Sequence, residues 1–224
     1  MTDDRSVAAV AALAEPTRRR LYEHVVRQSR PVTRDDAAAA LALPRGTVAF
    51  HLDRLVADGL LEIGFERRTG RTGPGAGRPA KFYRRADCAV AVSLPERRYD
   101  LAGELLADAV AEAGETGRAA SDVLGRRAHL RGRELGQAAR SGGRQAVLQV
   151  LEEHGYEPRA DGEGIALANC PFHALARRQP ALVCGMNLRV VEGVLEGAGE
   201  SGLVARLCPA DGACCVRLEP GHSR

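Results

Sequence analysis

The chain has 224 residues, of which 45% are apolar, 4% are aromatic and none is Trp, so Leu, Val and Ala must pack a real core and disorder is not the default. The formal charge of +3 hides an uneven distribution: residues 1–90 carry 16 Lys+Arg against 11 Asp+Glu, whereas residues 91–224 carry 16 against 18. That asymmetry points to a first half facing nucleic acid, although Lys81 is the only lysine and Arg is favoured throughout.

The N-terminus, MTDDRSVAAVAALAEPTRRR, places acids before a short apolar run with no cleavage-site pattern. Neither export nor a membrane span is expected, and a cytoplasmic protein follows. Thiols are kept reduced there, so six Cys read as buried, metal-binding or redox-active before they read as bridges. Pro16 suits the first turn of a helix carrying Leu21 and Val25 at i, i+4 spacing. PVTRDDAAAALAL follows, with Thr33 as N-cap and Asp35 and Asp36 where the helix dipole favours anions. PRGTVAFHLDRLVADGLLEI then sets Val48, Leu52, Leu55 and Val56 on one helical face, with Gly59 as the stop. Two helices joined by so short a turn make a helix-turn-helix candidate.

The next stretch, LLEIGFERRTGRTGPGAGRPAKFYRR, reads as a strand, a Gly/Pro-rich tip and a returning strand near Lys81. Between residues 65 and 85 it holds seven basic residues, among them Arg67, Arg68, Arg71, Arg78 and Lys81, against Glu66 alone. Directly after a helix-turn-helix, such a wing is built to neutralise a phosphate backbone.

GTVAFHLDRLVADGLLE followed by GRPAKFYR resembles the winged helix-turn-helix of ArsR-type bacterial regulators, over about residues 5–87. The resemblance implies that the helix Arg45–Ala57 enters the major groove of double-stranded DNA. Arg45, Thr47, Phe50, His51 and Arg54 lie off its apolar face or at its N-terminal end, where base contacts are usual. His51 has a competing place, packed against the first helices. The helix before it reads DDAAAALAL and lacks the Cys pair with which many ArsR-type proteins bind metal.

From about Arg98 a long amphipathic helix is expected, with Leu101, Leu105, Leu106 and Val110 as its stripe. Placed after a DNA-binding module, it is expected to pair with its symmetry mate in a homodimer, since two-fold operators need dimers, with packing against the C-terminal half as the alternative. Cys88 reads as a small buried residue. Residues 118–142 are Arg- and Gly-rich with modest helical periodicity, and a clearer helix runs from Gly143 to His154. Strands around Asp161–Gly162, a short helix in PFHALARRQP, a longer one in ALVCGMNLRVVEGVLEGAG and a final hairpin complete a small α+β domain. The fold expected is mainly α with small β. It comprises a winged helix-turn-helix domain (1–87), a linker and dimerisation helix (88–117) and an α+β sensor domain (118–224).

None of Cys170, Cys184, Cys208, Cys214 and Cys215 forms the close pair of a zinc ribbon or finger, so zinc, an iron–sulfur cluster and inert packing all stay open on spacing. NCPFHALARRQPALVC, a long helix and then DGACCVRL are similar to the C-terminal sensor domain of SufR-type repressors, ArsR-like dimers that bind a 4Fe–4S cluster. That resemblance implies Cys170, Cys184 and Cys214 as cluster ligands, Cys214 standing three residues after Asp211. Cys215, Cys208 and His173 are alternates, zinc is the alternative metal, and strand alternation places Cys214 rather than Cys215 on the core face with Val216 and Leu218. A DNA-binding regulator sensing cluster, iron or redox state is therefore expected, not an enzyme. The alternative is a winged-helix regulator that responds to a small molecule or partner, with cysteines that pack or bind zinc. A thiol enzyme using Cys170 and His173 would need an orienting third group that the sequence does not offer.

Overall fold

The computed structural model describes residues 4–66, 79–140, 142–209 and 213–221. The fold is mainly helical with two small antiparallel sheets, and the chain divides into two compact units, Thr2–Val92 and Ser93–Arg224.

The first unit runs α1 (Asp4–Ala12), α2 (Pro16–Val26), β1 (Val32–Thr33), α3 (Arg34–Leu41), α4 (Arg45–Ala57), β2 (Leu61–Glu66) and β3 (Ala80–Arg85). Pro16 opens α2, and the Glu15 carboxylate caps it by accepting from the N–H groups of Thr17 (3.0 Å) and Arg18 (2.6 Å). Thr33 caps α3 in a capping box: its Oγ1 accepts from Asp36 N, and the Asp36 carboxylate accepts from Thr33 N. Two otherwise orphaned donors are satisfied, and losing such a cap costs about 1 kcal/mol. The turn into α4 passes through Ala42, held in the left-handed region at φ 52°. Val48, Leu52 and Leu55 of α4 are fully buried against Leu21 and Val25 of α2 and Ala37 and Ala38 of α3. Gly59 then adopts φ 74°, which releases the chain into β2. The sheet order is β1-β3-β2. Sequence periodicity does not reveal β1, because its two residues, paired as Val32↔Tyr83 and Thr33↔Phe82, are too few to show any.

The second unit contains α5 (Tyr99–Thr116), α6 (Ala120–Gly136), α7 (Gly143–Glu153), β4 (Pro158–Asp161), β5 (Gly164–Leu167), α8 (His173–Arg178), α9 (Pro180–Ala198), β6 (Leu203–Leu207) and β7 (Val216–Pro220). Its sheet runs β4-β5-β7-β6, and α9 supplies much of the core through Val183, Met186, Val190, Val191 and Val194. The segment of modest periodicity forms the 17-residue α6. Its glycines blur the pattern because they meet a helix backbone instead of presenting side chains. A Cβ on Gly132 would lie 2.0 Å from the Val190 carbonyl oxygen, and one on Gly136 2.2 Å from that of Val194. From the other side, a Cβ on Gly193 would lie 2.1 Å from His129 O and one on Gly197 2.2 Å from Arg133 O. The helices α6 and α9 therefore pack backbone to backbone, which only glycine allows.

The stripe of α5 is used inside the chain. Leu101 and Leu105 are buried in the second unit's own core together with Ala102 and Ala109, while Val110 is 66% exposed. The seam expected between two copies at Leu101 and Leu105 is instead taken up by intramolecular packing, because α6 follows α5 closely enough to cover it.

Candidate nucleic-acid interface and thiol site

On α4, burial of Val48, Leu52 and Leu55 turns Arg45, Phe50 and Arg54 outward. Phe50 is 66% exposed, an apolar ring with no core to fill. Arg45 lies at the helix start and pairs with Asp35 of α3 at 3.1 Å, and Arg54 pairs with Asp58 at 3.0 Å. Both pairs are exposed on the Arg side, so the guanidinium groups are held loosely and can exchange partners. Thr47 is half-buried. His51 is turned towards α2: its side chain is only 12% exposed, and Nδ1 lies 3.5 Å from the Glu15 carboxylate without a hydrogen bond. It also makes an edge contact with Phe50.

Lys81 on β3 reaches back to α4. Its Nζ is 2.5 Å from Asp53 Oδ1 and 5.1 Å from the centre of the Tyr83 ring, and the Tyr83 hydroxyl donates to the same carboxylate oxygen at 2.9 Å. Partial burial opposes ionisation of Asp53, but hydrogen bonds from Lys81 and Tyr83 outweigh it and hold the carboxyl below its usual range. The reciprocal hydrogen bond keeps Lys81 charged to higher pH than usual. Asp53 was not foreseen in this role; its position on the exposed side of α4 gave no sign of the strand beside it. Arg67, Arg68, Arg71 and Arg78, the expected phosphate contacts of the wing, lie outside the described residues.

In the second unit, residues far apart in sequence gather two thiols. Cys170 follows β5, and Cys214 precedes β7, tied to β5 by a hydrogen bond from its N–H to Leu167 O at 2.9 Å. Both are buried, and their thiols lie near enough to shift each other's ionisation, as Cys215 does that of Cys214. The Cys214 sulfur accepts from Asn187 Nδ2 at 3.1 Å and from Val216 N at 3.5 Å. Asn187, fully buried on α9, in turn accepts from the Tyr156 hydroxyl at 2.5 Å. Asn187, Tyr156 and Asn169 were missed from sequence. An isolated Asn within the apolar stretch GMNLRVV was the available signal, since a buried amide demands partners.

The hydrogen bond to Cys214, followed by burial, pushes the Cys170 thiol far above its ordinary value. For Cys214 the Cys170 hydrogen bond favours the thiolate, but the Cys215 hydrogen bond and burial outweigh it and push the thiol up to about 11. The pair is protonated at neutral pH, and holding a cation there means releasing protons.

Of the expected ligands, Cys170 and Cys214 are brought together. Cys184 is half-buried on α9, one turn before Asn187, and is not brought into the pair. Cys214 lies on the core side as expected, but Cys215 also packs partly against the core, because both residues precede the regular strand. The Cys208 sulfur is 3.9 Å from Glu219 Oε1, and the His173 side chain is exposed while its N–H donates to Cys170 O at 3.1 Å. Asp211 lies outside the described residues. Cys88 is exposed rather than buried; its sulfur donates to Gly59 O at 3.3 Å. Among the described residues, no three His, Cys, Asp or Glu side chains are gathered closely enough to hold a metal ion. Two thiols are soft donors, but they fall short of the three or four protein ligands that a zinc or iron–sulfur site uses.

Residues 13–63 match the family model described as a helix-turn-helix domain, which spans α2, α3 and α4. No curated protein and no solved structure matches the chain. Residues 13–63 are thus similar to a helix-turn-helix domain, which suggests DNA binding and a transcriptional regulator. No helix among the described residues is long and apolar enough to cross a membrane.

Proposed function

We propose that the chain is a transcriptional regulator that binds double-stranded DNA as a homodimer, and that its second unit senses an iron–sulfur cluster, iron or redox state through cysteines. The DNA-binding part rests on α4, whose buried face leaves Arg45, Phe50 and Arg54 exposed on the opposite side, where a major groove would meet them. The sensing part rests on one observation: Cys170 and Cys214 meet in the core, and two N–H groups point at the Cys214 sulfur. Such donors would favour a thiolate once a cation displaces the proton, against the burial and the Cys215 thiol that hold Cys214 protonated without one.

An iron–sulfur cluster is the first candidate occupant and zinc the second. Cys170 and Cys214 would hold either, with Cys215 or Cys184 as further ligands. A cluster would supply a charge that changes with oxidation. The protein's own part is to exclude water, to fix Cys214 through Asn187 and to shift the population between DNA-binding arrangements. The homodimer interface lies away from Leu101 and Leu105.

Anaerobic reconstitution with iron and sulfide, followed by a visible spectrum and metal analysis, tests the sensing part. Cys170→Ser and Cys214→Ser should each bleach the spectrum, because a hydroxyl is harder and far less readily ionised than a thiol. Cys88→Ser should not. Wild-type protein that takes up neither iron nor zinc would overturn this part. In vitro selection from random duplex DNA tests the rest: a two-fold sequence should be enriched, and Arg45→Ala and Arg54→Ala should each weaken its binding. Failure to enrich any sequence would refute sequence-specific regulation.

A further inference from the structure

The second unit begins at Ser93, and the stretch Glu96–Tyr99 leads from there into α5. This stretch is fastened to the turn that carries Cys170. Arg97 Nη1 donates to the Cys170 carbonyl at 2.9 Å and also to Asn169 Oδ1. The Asn169 amide donates back to Glu96 O at 3.0 Å and across to Gly155 O at 2.5 Å. Arg98 N donates to Pro171 O at 3.1 Å, and Ala174 N donates to the Tyr99 hydroxyl at 3.3 Å. Asn169 is 6% exposed, so its amide cannot turn to water if these bonds break. Breaking one of these bonds therefore leaves a buried polar group without its partner.

Arg97 itself is unusual. It is partly buried, yet among the described residues its partners are neutral oxygens, and no carboxylate pairs with it. A half-buried guanidinium normally has an anion beside it. The oxygen of Cys170 that it holds is a backbone carbonyl, so Arg97 acts on where this residue sits and not on the charge of its thiol.

We propose that Arg97 is the positioning residue of the thiol site and its mechanical output. It fixes the backbone of Cys170, and through the Asn169 clamp it carries any rearrangement at Cys170 to Glu96–Tyr99, the stretch through which the chain continues to the DNA-binding unit. The inference rests on the proposal that the thiols sense, but the clamp is testable separately.

The test uses the full chain with a duplex selected on the wild type, in protein reconstituted with iron and sulfide and in chelator-treated protein. Arg97→Ala should fold, still take up iron, and bring the ratio of loaded to empty DNA affinities to about one. Amide exchange at Arg98 should change on loading in the wild type and not in the variant. In the wild type the one nitrogen Nη1 bonds both Cys170 O and Asn169 Oδ1, so Arg97→Lys, whose ammonium also offers several donors on one nitrogen, should take up iron and recover part of the ratio that Arg97→Ala loses. A wild-type ratio in Arg97→Ala overturns the proposal. If the wild type takes up no iron or zinc, the sensing function falls, and the clamp is then read through Cys170→Val. Faster exchange at Arg98, with no change in the β4–β5 hairpin, would uphold it, and unchanged exchange at Arg98 would overturn it.

Discussion

Lys81 on β3 and Asp53 on α4 are joined at 2.5 Å, so the only lysine of the chain ties the returning strand to the helix expected in the major groove. Asp53 is held below its ordinary value of 3.8, so its contribution to stability is present above that pH and is lost as pH falls further. Lys81 is held above 10.5, so its contribution is present below that pH and is lost as pH rises through the folded value. Their side chains are 55% and 36% exposed, which limits the effect to about 0.2–1 kcal/mol. Lys81→Met should lower unfolding free energy by that amount at pH 7, and high salt should shrink the difference. Urea titrations of both proteins at low and high salt measure it.

Ala42 takes φ 52° at the end of α3, where an L side chain is strained. Ala42→Gly should relieve that strain at the cost of a freer unfolded chain, for a net gain of up to about 1 kcal/mol. Thermal denaturation should show a raised midpoint. A lowered midpoint would mean that the turn carries no strain.

Two glycines of α9 should respond with opposite signs. A Cβ on Gly193 meets His129 O at 2.1 Å and would force α6 and α9 apart, whereas one on Gly185 meets nothing within 4 Å. Gly193→Ala should destabilise by about 1–3 kcal/mol or more. Gly185→Ala should stabilise by about 0.5–1 kcal/mol through helix propensity. Equilibrium unfolding of the two variants separates backbone packing from propensity.

Leu105 lies in the core of the second unit, and Val110 on the same helix is 66% exposed. Leu105→Ala should cost about 2–5 kcal/mol in unfolding free energy. Val110→Glu should leave it within about 0.5 kcal/mol. Similar costs for both would place Val110 under cover that α5 shares with another surface.

Much of the first unit was legible because local chemistry decides it. The Thr33 cap, the Val48–Leu52–Leu55 face and Gly59 each act within a few residues. The α5 stripe was legible as apolar, but not whether α6 or a second copy covers it, since both would select the same residues. The α6 glycines left only modest helical periodicity to read, because their reason is the backbone of α9, more than fifty residues away. Spacing could place Cys170 and Cys214 at strand ends but could not tell that β5 and β7 are neighbours. Nor could it show that Cys184 stays outside their contact while Asn187, one turn further on, reaches in.

The claim that the thiol site governs DNA binding is tested most directly by one titration. Wild-type protein is prepared anaerobically in metal-loaded and metal-free forms, and each is titrated with the duplex selected on it at one fixed salt concentration. The two affinities should differ by at least about ten-fold, equivalent to about 1.4 kcal/mol of coupling. The difference should vanish in Cys170→Ser and in Cys214→Ser. Equal affinities of the two wild-type forms, with metal content verified in the same samples, would contradict the account.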